Sequence, residues 1–408
     1  MSLIVTREPA EAGFDAARLD RIRAHFDRYV ADERLSGWLA TVARGSDLVW
    51  VGRGGHADRE AGVPVSEDTI WRIYSMTKPL TSLAAMMLYE EGAFDLNDEV
   101  SSYVEEFAEA RVFLGGTPEA PRTRAPEEPV RVLHLLTHTA GLTYGFHYTH
   151  PVDAIYRLHG YDFGYPPGTD LARAVADWAR LPLIADPGRH FNYSVATDVL
   201  GRLVEVWSGL SLDRFMRERI LEPLGMYDTD WYCPPEKAER LARLYVPSQG
   251  RAVAFDELGR YALKWPSMLG GGGGLLASAG DYWRFTQMLL GRGALGTQRL
   301  ISPASLELMT RNHLPAGADI ASSALDTFAV PEYAGVGFGL GFSVVLDQVA
   351  NRSLVTEGSY AWGGAASTVF WVDPAEEITV SFFTQMLPSS TYPVRRELQR
   401  LVYAAAVG

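Results

Sequence analysis

Strand-forming runs stand near both ends of this chain, separated by a long, mainly helical stretch, and that layout constrains the fold more than any other feature. Near the start, "WLATVARGSDLVWVGRGG" reads as a hairpin of two short β-rich runs around a Gly-Ser-Asp turn. After residue 335, "GFGLGFSVVL", "AASTVFWVD" and "EEITVSFFTQM" read as three antiparallel strands, with "DPAE" as the turn between the last two. Apolar strands have to pair and bury a face, so the two ends of the chain are expected to meet in one sheet. The predicted fold class is α+β, an antiparallel sheet flanked by helices, from residues 1–92 and 311–408. A mainly helical lobe of residues 93–310 is inserted into it, with the active site between the two lobes.

The helices follow from apolar spacing. "DAARLDRIRAHFDRYV" puts Leu19, Ile22, Phe26 and Val30 at helical intervals, and "YPVRRELQRLVYAAAV" closes the chain as another helix. "WRIYSMTKPLTSLAAMMLYEEGAF" reads as a mostly buried helix that Gly92 ends. "ATDVLGRLVEVWSG" and "LDRFMRERILEPLG" are patterned helices, each stopped by glycine. "GGTPEAPRTRAPEEP" reads as a surface excursion, and "MLGGGGGLLASAGDYWRFTQMLLG" joins five glycines to a helix. No fixed-period repeat is present.

Composition removes several function classes. A formal net charge of −13 argues against nucleic acid or an anionic membrane as partner. No run of about 18 apolar residues occurs, so no spanning helix is expected. The first residues lack the apolar core, roughly 7–15 residues long, of a secretory signal, so the expected location is cytoplasmic. The one cysteine, Cys233, excludes an internal disulfide and is read as an inert thiol in the Pro-broken loop "WYCPPEK". There is no G-x-S-x-G elbow, Walker loop or H-E-x-x-H. "GRGGHA" lacks the following helix that dinucleotide binding needs. His134 and His138 stand four apart in "HLLTHTAGLTYG", but no third ligand matches them. A structural role is expected, with His138 bonding local backbone, and no metal or other cofactor.

Ser75 and Lys78 carry the available chemistry. At positions i and i+3 they share a helix face, so the lysine can reach the serine hydroxyl. A serine needs a base to take its proton, and a buried lysine has its pKa pushed down toward that task. Of 37 lysines and arginines only three are lysines: Lys78, Lys237 and Lys264. One of them sits inside an apolar helix, where arginine could not deprotonate. Tyr193, in "ADPGRHFNYSVATDVLG", could be held as a phenolate near such a cation. "EGSYAWGGAASTVFWVD" brings glycines into a strand, which calls for something close to that backbone and offers N–H groups to an oxyanion hole.

In order and separation these elements resemble the serine β-lactamase and penicillin-binding-protein superfamily. They are most similar to its class C β-lactamase-like branch and to the family VIII carboxylesterases within it. Ser75-Met76-Thr77-Lys78 matches S-x-x-K, Tyr193-Ser194-Val195 occupies Y-x-N, and Trp362-Gly363-Gly364 occupies K-T-G. "LLTHTAGL" and "GGGGLLASAGDYWRF" also resemble recurrent stretches of the group, so the likeness spans nearly the whole chain.

The resemblance implies a β-lactamase/transpeptidase-like fold, Ser75 as the acylated nucleophile, and Lys78 and Tyr193 sharing its proton. The backbone N–H groups of Ser75 and Ala365 would form the oxyanion hole. Trp362, Gly363, Gly364, Val195 and Tyr144 would contact substrate, and Phe146 and Tyr148 are offered either as walls of the acyl pocket or as ordinary packing. Two departures matter, Val195 for the motif's asparagine and Trp362 for its lysine. Both replace polar recognition by apolar surface. The expected reaction is therefore serine hydrolysis, through an acyl-enzyme, of uncharged, hydrophobic, short-chain esters, with a small-molecule ester as partner, no nucleic acid or membrane, and the oligomeric state left open. The alternatives are an acyltransferase of the same fold, a β-lactamase or D-amino-acid peptidase, and a non-catalytic binding module.

Overall fold

Eight strands form one antiparallel sheet, and both ends of the chain supply it. The computed structural model describes residues 3–325 and 327–407; Met1, Ser2, Asp326 and Gly408, which belong to the expected lobes, lie outside the described residues. Three strands come from the first part of the chain: β1 (Gly37–Arg44), β2 (Asp47–Asp58) and β3 (Val63–Pro64). Five come from the last part: β4 (Val336–Phe338), β5 (Ser343–Val345), β6 (Tyr360–Gly363), β7 (Val369–Asp373) and β8 (Ile378–Phe383). The order across the sheet is β4-β5-β6-β7-β8-β1-β2-β3. The two ends meet where β1 pairs with β8, from Leu39 opposite Phe383 to Arg44 opposite Ile378.

Every residue of β8 is buried, because helices cover both faces of the sheet. On one face α1 (Ala16–Ala31) and α5 (Val394–Ala405) bury Leu19, Ile22, Phe26 and Leu398 against Trp38, Val380 and Phe382. On the other, α2 (Thr77–Glu90) and α4 (Ala279–Leu290) bury Leu83, Tyr282 and Phe285 with Phe370 and Phe383. On this second face Gln287 donates to Thr379 Oγ1 at 3.1 Å, as burial of an amide requires. Between the strand groups lies the mainly helical stretch, including α3 (Ala196–Ser208), which Gly209 ends in the left-handed conformation. Among the described residues no helix is long and apolar enough to cross a membrane.

Two sequence expectations need correction. "GFGLGFSVVL" is not one strand but a tight hairpin of β4 and β5, since Gly341 takes φ +96° and turns the chain. The strand that carries the Trp-Gly-Gly motif, β6, is a separate element between β5 and β7, which leaves "AASTVFWVD" as loop plus β7. The Pro/Gly-rich excursion also has structure. Val112–Thr117 and Ala120–Arg124 pair as a hairpin, with Gly115 and Gly116 at positive φ where the register shifts.

Candidate active site

A short strand, Ile70–Arg72, pairs with Leu276–Ser278 and delivers the chain into the turn Tyr74–Met76, from which α2 continues. Tyr74 sits at φ +42°, an uncommon conformation for a residue with a side chain and one that clusters at functional sites. It lets the chain turn from strand to helix within three residues, and Ser75 stands in the turn. Thr77 to Leu88 are all buried, so the lysine one turn after the serine has no route to water: Lys78 is 1% exposed.

Three acceptors surround the Lys78 amine. Nζ lies 2.7 Å from the carbonyl oxygen of Gly272, 3.0 Å from Tyr144 Oη and 3.5 Å from Ser75 Oγ. Burial pushes its pKa down to about 7, although the Asp198 carboxylate pulls the other way. A neutral amine has two hydrogens and one lone pair. With the hydrogens given to Gly272 and Tyr144, the lone pair is left for the serine hydroxyl.

Asp198, buried in the first turn of α3, holds the five-glycine run in place by accepting from the Gly272 N–H at 2.9 Å. A Cβ on residue 272 would fall 2.5 Å from Asp198 Oδ2, so only glycine brings that backbone so close to the carboxylate and the lysine. Thr81, one turn beyond Lys78, holds the neighbouring Gly271 carbonyl at 2.7 Å.

Tyr193 comes from the segment just before α3, and Lys78 Nζ lies 4.3 Å from the centre of its ring. His147 bonds the Tyr193 carbonyl at 2.7 Å, and the Asn192 side chain donates to the Leu142 carbonyl at 2.8 Å. His138 Nδ1 accepts from the Ser194 N–H at 3.3 Å, while its Nε2–H donates to Thr197 Oγ1 at 3.4 Å. The structural role expected of the histidine pair therefore divides. His134 bonds local backbone, accepting from the Arg131 N–H, whereas the partners of His138 lie more than fifty residues away. Burial and the Lys78 charge keep His138 neutral, and among the described residues no group of three possible ligands surrounds a metal position.

Burial raises the Tyr193 phenol above its ordinary range, and hydrogen bonding to Ser75 and Trp362 only partly opposes this. Burial thus disfavours the phenolate that the sequence suggests. The position of Trp362 supplies the reason for part of this environment. Its indole Nε1 donates to Tyr193 Oη at 3.2 Å, and its ring stacks at 5.8 Å on Phe328 and meets Phe338 edge-on. Trp362 was expected as apolar surface; it is instead a hydrogen-bond donor whose only N–H is spent on the tyrosine.

Beyond Trp362, Gly363 and Gly364 end β6 against the nucleophile turn. A Cβ on Gly364 would lie 2.3 Å from the Ile73 carbonyl oxygen, so the missing side chain is what lets the two backbones touch. Among the described residues no protein group accepts the N–H of Ser75 or of Ala365.

Other expected residues fall differently. Val195 caps the start of α3 and is 3% exposed, packed in the core with no surface for a ligand. Tyr144 belongs to the lysine's shell, with its ring stacked on Phe146 at 4.5 Å; Phe146 meets Phe163, and Phe163 meets Tyr74, in an aromatic row beside Ser75. Tyr148 is 66% exposed and leaves the row. Cys233 is buried, its thiol pKa raised by that burial, as an inert thiol requires. Asp198 and the glycine run were not singled out as functional by the sequence reading. The available signal was a carboxylate on the buried side of a helix otherwise lined by Val195, Val199 and Leu200.

Comparison with known proteins gives the same picture at the level of the whole chain. The Beta-lactamase family profile matches residues 22–404. Esterase EstB of Burkholderia gladioli is 30% identical over 424 residues, which cover 97% of this chain and 98% of the esterase. Monacolin J acid methylbutanoyltransferase of Aspergillus terreus is 28% identical over 352 residues, 83% of this chain and 81% of that enzyme. The solved structure of EstCE1, described as a hydrolase with promiscuous acyltransferase activity, superposes with a TM-score of 0.80 at 26% identity, covering 96% of this chain and 98% of its own. With its β-lactamase/transpeptidase-like fold, this chain belongs to the β-lactamase family and is a serine hydrolase.

Proposed function

We propose that the chain hydrolyses uncharged, hydrophobic, short-chain carboxylic esters through an acyl-enzyme on Ser75. The observation that carries this reading is the lysine shell: both hydrogens of a neutral Lys78 amine are engaged, and its lone pair is left for Ser75 Oγ. Ser75 Oγ attacks the ester carbonyl carbon and its proton passes to Lys78. The tetrahedral oxyanion is held by the N–H groups of Ser75 and Ala365. As the C–O bond of the alcohol breaks, Lys78 returns the proton to the leaving oxygen, directly or through the neutral Tyr193 phenol. A water then repeats the sequence on the acyl-enzyme and releases the acid. Lys78 is the base in this scheme because burial favours its neutral form, whereas burial of Tyr193 disfavours phenolate.

Two features support an uncharged, apolar substrate. The position that would carry a lysine for a substrate carboxylate is Trp362, whose one donor is occupied by Tyr193. The row Tyr144, Phe146, Phe163 and Tyr74 offers ring faces beside the nucleophile. Initial rates on p-nitrophenyl acetate, butyrate and octanoate test the reading. Turnover should be highest on the short esters and lost in Ser75→Ala; a folded Ser75→Ala protein with most of the activity would sink it.

An acyltransferase reading has specific support, since one relative is named a methylbutanoyltransferase and a structural neighbour a hydrolase with acyltransferase activity. It differs only in the acceptor. With an added primary alcohol, transfer appears as a new ester in the products and a faster release of p-nitrophenol; hydrolysis alone gives the acid at an unchanged rate.

A further inference from the structure

Arg395 is a half-buried arginine near the start of α5, outside every motif of the candidate site. Its contacts are carbonyl oxygens: Nη2 donates to Gly364 at 2.6 Å and to Thr368 at 3.0 Å. The nearest acid along the helix, Glu397, points elsewhere and is taken by His25 at 3.0 Å and Tyr29 at 2.8 Å. An arginine stays charged in proteins, so a full positive charge is spent on the loop that joins β6 to β7.

That loop carries Ala365. The Gly364 carbonyl and the Ala365 N–H belong to one peptide unit, and in a trans peptide they point in opposite directions. Gripping the carbonyl therefore fixes where the N–H points. The Ser367 N–H adds a second bond to the same carbonyl at 3.1 Å, closing a turn around it. A charged donor on the oxygen also polarises the peptide and strengthens its N–H as a donor. The sequence makes room for this grip: a Cβ on residue 363 would lie 2.5 Å from Arg395 Cζ. Gly363 thus admits the guanidinium from behind, while Gly364 admits the nucleophile turn from in front.

We infer that Arg395 is a positioning residue of the oxyanion hole, holding the Gly364–Ala365 peptide so that the Ala365 N–H meets the oxyanion formed on Ser75. This rests on the acyl-enzyme reading above. The rival role is a brace that ties α5 to the sheet and affects only stability.

The two roles separate in kinetics and in the binding of a trifluoromethyl ketone. Ser75 Oγ adds to the carbonyl carbon of this ketone, its proton goes to Lys78, and the resulting oxyanion occupies the hole. Arg395→Gln should lose about ten- to hundredfold in kcat, less than outright removal of a hole donor, with KM within about twofold. Affinity for the ketone should fall by the same factor as kcat/KM, and Arg395→Lys should recover part of both, because it keeps a positive charge toward these carbonyls on a shorter side chain. If either folded variant keeps kcat and ketone affinity within about twofold of wild type, the inference is overturned; should Arg395→Gln fail to fold, Arg395→Lys decides by the same comparison. A wild-type enzyme that forms no Ser75 adduct with the ketone would instead remove the acyl-enzyme reading, whatever the arginine variants do.

Discussion

Trp362 donates its indole N–H to the phenol oxygen of Tyr193 at 3.2 Å, linking the end of β6 to the residue that faces Lys78. A buried hydrogen bond of this kind contributes about 1 kcal/mol net. Trp362→Phe keeps an aromatic ring against Phe328 and removes the donor together with one ring of the buried indole. We expect a loss in kcat/KM of roughly five- to thirtyfold, corresponding to about 1–2 kcal/mol, together with a lower melting temperature. Equal activity in the phenylalanine variant would reduce Trp362 to packing.

The lysine pKa sets a pH profile. In the proposed scheme the base is neutral Lys78, and burial lowers its pKa to about 7, so kcat/KM should rise as pH increases through about 7 and then level. Asp198 favours the charged amine. Asp198→Asn keeps an acceptor for the Gly272 N–H but removes the charge, so the rising limb should move to lower pH. A limb that moves to higher pH, or stays in place, contradicts this assignment of the base.

Gly272 allows the next prediction. Its hypothetical Cβ lies 2.5 Å from Asp198 Oδ2 and 3.1 Å from Tyr144 Oη, so alanine forces the loop away from Lys78. Overpacking of this kind costs about 1–3 kcal/mol of stability. Gly272→Ala should lower the melting temperature, measurable by thermal denaturation, and reduce kcat at least tenfold, because the amine loses its 2.7 Å acceptor. Gly296, whose Cβ would meet nothing within 4 Å, serves as a control at a remote turn. Gly296→Ala, strained only by its positive φ, should leave kcat unchanged.

The sequence made some of this legible and hid the rest for physical reasons. The pairing of the chain's two ends could be read because β1 and β8 carry near-continuous apolar runs that need a partner. Helices α1 and α3 could be read because their apolar spacing and glycine stop are local signals. β6 escapes the sequence because four residues ending in glycine do not look like a strand; its conformation is set by β5 and β7 on either side. Ser75, Lys78, Tyr193 and Trp362 were found as motifs, but their relations were not. That Trp362 is a donor to Tyr193, that Tyr144 and Gly272 hold the lysine, and that Asp198 holds Gly272 are contacts between residues 66 to 194 apart, and no local pattern encodes them. Val195 shows the opposite error: its motif position suggested substrate contact, but an isopropyl group at the start of a buried helix packs inward.

The central claim is that Ser75 is acylated with Lys78 as its base, and intact-mass spectrometry on acid-quenched reactions tests it most directly. With p-nitrophenyl butyrate, wild-type protein should gain one butyryl group, mapped by peptide digestion to Ser75, within the first turnover. Lys78→Arg, which keeps the charge but cannot give it up, should form this adduct at least a hundredfold more slowly, and Ser75→Ala should not form it. An adduct on another residue, or one formed at the wild-type rate in Lys78→Arg, would contradict the account.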